Sequence, residues 1–458
     1  MERINTKEEI FSFIKSVTAL VLPMAIQNLI NVGVQAADVV MLGKVGEVAI
    51  SSASLAGQVY FIMTLIFFGL TSGAAVLTAQ YWGKRDISTI EKVLGLAIRM
   101  AIIISFIFTV FSVTIPDKIM KIFSNDPDVI YHGSDYIRIV ATAYIPAAFT
   151  MVYLNTIRSV EKVLISTIVY SVSLLSNVIL NAILIFGLMG CPALGIKGAA
   201  IATASSRYIE FIIVLIYSLK INDVLKIKIK NLLRTDKILI KDFLHFALPV
   251  TLNELMWGGG ISAINAIIGH LGSSVVAANS VVGVVRQLVM VITFGVANAT
   301  AIMLGKKIGE GKENIAKVYA KRFMTTTLVL GILGSIVILI LIPIIPAFMS
   351  LGTDAKEYLT KMMLVMAYFV IASGFNTVAI VGVFRAGGDT KIGLILDCAT
   401  LWGIAILFGI ISAFVLKLPI IFVYIILTCD EIAKLPFVIK RYKSYKWLKN
   451  VTREFSEK

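Results

Sequence analysis

Long apolar runs follow one another almost without pause along this chain. They fall at 17–42, 49–79, 95–115, 136–158, 166–187 and 195–219. A second set falls at 243–271, 275–304, 324–349, 361–385, 392–416 and 419–439. Each is long enough to cross a bilayer, which takes about 20 residues per helix. Each is predicted helical, because an isolated strand would leave its backbone polar groups unsatisfied in lipid. The pattern predicts an all-α integral membrane protein of twelve spans.

Composition agrees. Of 458 residues, 58% are apolar and 15% charged. Soluble multidomain enzymes, disordered proteins and free nucleic-acid binders are excluded by that balance. The net charge of +15 therefore reads as loop charge. With both termini placed in the cytoplasm, thirty of the 42 Lys and Arg fall on the inner side and eight on the outer, which fixes the expected topology. The N-terminal stretch has no cleavable signal pattern, so the first span is expected to act as a retained anchor. Cys191, Cys398 and Cys429 are scattered and suggest neither disulfides nor a zinc site. No cofactor is expected.

The chain divides into 1–219, a basic linker at 220–241, 242–439 and a basic tail at 440–458. The linker alternates basic and apolar residues. It suits either a segment lying on the inner membrane surface or a solvated connection. The halves resemble each other: with Pro23 set on Pro249, the pairs Gly33/Gly259, Gly43/Gly269, Gly46/Gly272, Gly57/Gly283, Gly69/Gly295 and Gly83/Gly309 match without gaps. Six spans return the chain to its starting side, so the repeat is parallel: two six-helix bundles related by a pseudo-two-fold axis along the membrane normal. Such a repeat favours a transporter with a central site. The matched glycines suggest tight packing within each half.

Ionisable residues inside spans are costly and read as functional candidates. Asn28, Asn31, Gln35 and Asp38 step by three, four and three, so they share one face of span 1. A polar stripe ending in an acid reads as the lining of a wet cavity with a cation site. Asn177 and Asn181 lie one turn apart in span 5, and Thr203 is in span 6. With Asp38 they could supply oxygen ligands to Na⁺, Asp38 and Asn177 foremost, or hold a titrating Asp38. Glu254 and Arg286 lie at matched depth on adjacent spans and are expected to pair, either as a neutralised structural pair or with Glu254 trading Arg286 for a proton or a cationic substrate during transport. Asp397 is shallow on the inner side, where it either contacts a basic loop or Trp402 or takes part in transport. Arg207 with Glu210, and Asp430 with Lys434, have helical spacing for ion pairs. No Walker loop, GxSxG, HExxH or Cys/His cluster is present, so an enzyme is not expected and any pumping would draw on an ion gradient.

LPMAIQNLINVGVQAADVVMLGKVGEVAI, AQYWGKRD, NVILNAILIFG with GIKGAAIAT, LPVTLNELMWGGG, FRAGGDTKIGLILD and the tail DEIAKLPFVIKRYKSYKWLKN together resemble the multidrug and toxic compound extrusion (MATE) family. The resemblance implies export of organic, often cationic, compounds in exchange for Na⁺ or H⁺. It places Asp38 at the family's coupling carboxylate, with Asn177 and Asn181 beside it. Asn181 stands where many relatives carry Asp. Glu254 matches a span 7 acid, whose span 10 partner acid is here Asn376. The first-half copy of RAGGDT is reduced to RSVEKV at Arg158–Val163. The alternative within the superfamily is a flippase for lipid-linked sugars, which usually carries extra spans or several cavity arginines. A membrane-embedded enzyme or receptor is a more distant alternative. The expected setting is the inner membrane of a bacterium. The expected partners are small organic substrates and lipid, not nucleic acid, and the expected state is a monomer.

Overall fold

The computed structural model describes residues 7–225, 236–349 and 351–454; the side chains of Lys7 and Gln35 lie outside that description. Among the described residues it is built of helices. In chain order they are α1 Lys7–Gly43, α2 Glu47–Lys84, α3 Ile87–Thr114, α4 Pro116–Phe123, α5 Pro127–Ala141, α6 Tyr144–Ser159, α7 Val163–Phe186 and α8 Ile196–Ile221. Then come α9 Lys237–Gly269, α10 Ser273–Gly309, α11 Glu313–Phe348, α12 Thr353–Phe384, α13 Thr390–Val415, α14 Ile420–Thr428 and α15 Asp430–Lys443. Nine of these, among the described residues, are long and apolar enough to cross a membrane alone. The pair α5–α6 makes a tenth, bent by 54°. α9 and the pair α14–α15 lie where the other two of the twelve expected spans were placed.

Local chemistry accounts for the ends and breaks. Asp86 caps α3 by accepting from Thr89 N–H at 3.0 Å. Asp126 caps α5 by accepting from Asp128 N–H at 2.9 Å, with Pro127 in the first turn where no donor is needed. Span 4 was expected to be continuous. It breaks at Thr142–Ala143 because Pro146 has no N–H to offer the carbonyl of residue 142. In α12 and α13, π-helical turns at Val378–Phe384, Cys398–Ile406 and Ile411–Val415 interrupt the α ladder and re-aim the residues beyond them.

The internal repeat extends to turn geometry. Gly46 and Gly272 both open the helix after a span-to-span turn, at φ +141° and +122°, where a Cβ would be strained. The next turn has Arg85 at φ 63° and Gly311 at φ 72°. Glu161 and Gly388 follow the same rule at φ 67° and 76°.

By contacts, the chain forms two compact units. One comprises Met1–Ala25, Ala75–Arg85 and His245–Lys458; the other comprises Ile26–Ala74 and Asp86–Leu244. In the first unit a core of Ile267, Val282, Met290, Met362, Met366, Leu401, Tyr424 and their neighbours joins α9, α10, α12, α13 and α14. In the second, Leu42, Ala49, Ala53, Ile185, Ile196 and Ala199 pack together. They fix the end of α1 against the ends of α7 and α8.

The expected glycine packing is only partly met. A Cβ on Gly33, Gly57 or Gly283 would enter open space, so these are not close-packing positions. Gly83 and Gly309 are: a Cβ on Gly83 would strike the Lys306 carbonyl, and one on Gly309 the Gln80 carbonyl. The two helix ends therefore approach backbone to backbone within the first unit. The basic tail is also not a free segment. Trp447 is fully buried, Val451 N–H donates to Gln80 Oε1 at 2.8 Å, and Arg453 N–H donates to Tyr81 Oη at 3.0 Å. Residues 226–235 of the 220–241 linker lie outside the described residues.

Candidate functional site

The four first-half candidates come together. Asn181 Nδ2 donates to Asp38 Oδ1 at 2.6 Å and approaches Asn177 Oδ1 at 3.3 Å. Asn177 Nδ2 points to Thr203 Oγ1 at 3.5 Å, the long end of a hydrogen bond. Asp38, on α1, thus heads a chain of side chains that crosses α7 and reaches α8. The spacing of Asn177 and Asn181 puts both amides on one face of α7, and the Leu42 cluster holds α1 where Asp38 can meet them. Asn177 and Asn181 are buried and Asp38 is half-buried.

Asp38 has no cationic partner within ion-pair distance among the described residues. Arg207 is the nearest basic influence, but it is engaged with Glu210 at ion-pair distance and lies over the Tyr60 ring, 5.7 Å from its centroid. The helical pairing expected for Arg207 and Glu210 is therefore present. Asn181 Oδ1 is buried with no hydrogen-bond partner, a costly state for an amide oxygen. The oxygen donors of Asp38, Asn177, Asn181 and Thr203 are of the type that suits a small hard cation such as Na⁺. They fit equally a proton carried by Asp38. Tyr136 stands beside Thr203 and Asp38. Sequence reading missed it, because a tyrosine in α5 gives no periodic signal pointing at α1. Asn28 is half-buried and Asn31 exposed, and neither joins the Asp38 network. Gln35 lies outside the described side chains.

In the second half the expected Glu254–Arg286 pair is not formed. Glu254 Oε1 accepts from Arg385 Nη2 at 2.7 Å, with the two side chains 12% and 4% exposed. Matched depth sets only one coordinate; the azimuth of each helix and the reach of the side chain decide the partner. Arg385 directly follows the π turn of α12 and is turned inward, with its side chain 4% exposed. Arg286 is half-buried beside Tyr424.

Asp397 meets neither a basic loop nor Trp402. Its Oδ1 pairs with Lys434 Nζ at 2.9 Å, while the Trp402 indole donates to the Met256 carbonyl at 3.0 Å. Lys434 also lies 3.3 Å from Asp430, as the helical spacing implied, and 3.5 Å from Glu431. Asn376 Nδ2 donates to Glu431 Oε2 at 2.8 Å. Asn376 and Asp397 are thus joined through α15, in a buried cluster of one ammonium and three carboxylates. Among the described residues, no three His, Cys, Asp or Glu side chains are placed to hold a metal ion.

These sites sit in a chain with known relatives. The MatE family profile matches residues 23–183 and 249–415, once in each half. A probable multidrug resistance protein, YoeA, of Bacillus subtilis is 22% identical over 90% of this chain and 89% of its own. A probable multidrug resistance protein, NorM, of Thermotoga maritima is 23% identical over 98% of this chain and 96% of its own. Among solved structures, a MOP superfamily transporter from Pyrococcus furiosus superposes with a TM-score of 0.84 at 18% identity, covering 94% of this chain and 96% of that one. The multi-pass, twelve-helix fold of two six-helix bundles is the fold of those transporters. The matched profile, covering both halves and the helices that carry Asp38, Asn177, Asn181 and Glu254, places the chain in the MatE family of multidrug efflux transporters.

Proposed function

We propose that this transporter is a secondary antiporter that exports organic, often cationic, compounds in exchange for Na⁺ or H⁺. It would act in a bacterial inner membrane with both termini cytoplasmic, as a monomer and without a cofactor. The observation that carries the reading is the Asp38–Asn181–Asn177 chain: a carboxylate inside a span, hydrogen-bonded to amides and left without a basic partner. Its negative charge is costly there unless a cation or proton joins it. That requirement ties occupancy of the site to the gradient. A coupling ion drives the cycle only if it binds one facing state better than the other, so the loaded site is expected to favour the state that releases substrate outward.

The test is uptake of an organic cation into proteoliposomes under an imposed pH gradient or an imposed Na⁺ gradient, each alone. At least one of the two gradients should drive uptake in the wild type, and neither should in Asp38→Asn. Coupled uptake by Asp38→Asn at the wild-type rate would move the coupling site elsewhere.

A further inference from the structure

Arg158, at the end of α6, is held inside the second compact unit by neutral groups. Its Nη2 donates to Gln27 Oε1 at 2.6 Å, Nε to Ser166 Oγ at 2.8 Å and Nη1 to Asn155 Oδ1 at 3.3 Å. The guanidinium also lies over the Tyr170 ring, 5.6 Å from its centroid. Among the described residues no carboxylate neutralises it. Guanidinium carries five N–H donors, so these three bonds leave two unused.

The second half supplies an internal template. Glu254 and Arg385 are 131 residues apart, as are Gln27 and Arg158. The two hydrogen bonds are alike in kind, each from an Arg Nη2 to a side-chain oxygen on the first helix of its half, although in the ungapped register Gln27 lies opposite Asn253 and Glu254 opposite Asn28. The difference is chemical: the second half meets its arginine with a carboxylate, the first with an amide. One arginine is neutralised by the protein and the other is not.

Placement adds to this. Gln27, Asn31 and Asp38 step by four and seven, so they share one face of α1. Ser166, Tyr170, Asn177 and Asn181 do the same on α7. Arg158 therefore stands at the inner end of the polar seam whose outer end is the Asp38–Asn181 bond, about 16 Å away along the helices. Gln27, Asn155, Arg158 and Tyr170 are all half-buried, so the guanidinium is not sealed in a core.

We propose that Arg158 is an anion subsite, which takes the carboxylate of a zwitterionic organic substrate on the N–H groups left unused beside Gln27, and so supplies the negative charge that Glu254 supplies to Arg385. A buried cation without a counter-ion is costly; a substrate carboxylate relieves that cost while gaining a charge-assisted bidentate contact. The subsite deepens the export reading and rests on it. It makes the first half selective for compounds that carry an acid as well as a cation.

The experiment measures binding of rhodamine B, which has a free benzoate, and of its ethyl ester, by fluorescence anisotropy on the purified full chain. Wild type should prefer the acid. Free benzoate should displace the acid dye and leave the ester bound. Gln27→Glu, which copies the second-half pair, should lower the acid-to-ester affinity ratio about tenfold or more by neutralising Arg158 internally. Benzoate that displaces both dyes equally, or neither, overturns the subsite without depending on any variant's folding, and so does an unchanged ratio in Gln27→Glu. Chloride that displaces the acid dye as well as benzoate does would assign Arg158 to inorganic anions and overturn the substrate assignment. If wild type binds neither dye, the export reading itself fails for this compound class, and the subsite fails with it.

Discussion

The Glu254–Arg385 pair offers the sharpest energetic test. Both side chains are largely buried and 2.7 Å apart. Removing one partner strands the other charge in a low-dielectric interior, at a cost of about 3–5 kcal/mol. Removing both leaves no stranded charge, and such replacements by apolar groups are often neutral or stabilising. The variants are Glu254→Gln, Arg385→Met and the double mutant. Unfolding free energies would be measured by equilibrium denaturation in mixed micelles. Each single variant should lose about 3–5 kcal/mol, and the double should lose less than either. The coupling energy should exceed about 1 kcal/mol, as expected for residues in direct contact. A parallel cycle with Glu254→Gln and Arg286→Met should be additive within about 0.5 kcal/mol. Additive losses in the first cycle, or strong coupling in the second, would refute the pairing described here.

Three further outcomes follow from the packing. Asp38→Asn should match or exceed wild-type thermal stability in detergent, because it removes an uncompensated charge from a span and keeps an acceptor for Asn181; a large loss of stability would show that the carboxylate is structural. Gly309→Val should sharply reduce folded yield, since its side chain would meet the Gln80 backbone carbonyl, whereas Gly283→Ala, facing open space, should change stability by less than about 0.5 kcal/mol. Trp447→Ala should cost about 3–5 kcal/mol, measured by the same micelle denaturation, because the side chain is wholly enclosed; a neutral result would mean the tail is detached in solution.

The one-dimensional pattern determined what depends on neighbours along the chain. The spans, the parallel repeat and the helix faces were all legible, because apolar length and the 3.6-residue period are local properties. The group of Asp38, Asn177, Asn181 and Thr203 was legible for the same reason: the amides are one turn apart, and a carboxylate in a span demands company. The resemblance to a family added the expectation that they act together. Tertiary structure alone decided the partners of long side chains. Arg385 reaches Glu254 because a π turn re-aims it, Lys434 rather than a loop meets Asp397, and Arg158 finds Gln27 instead of an acid. Likewise, the glycines that matched most visibly in the repeat face open space, while Gly83 and Gly309 carry the close approach. Each of these depends on the azimuth and separation of helices distant in sequence. No repeat period or hydropathy window encodes those quantities, because they are set by packing over the whole fold.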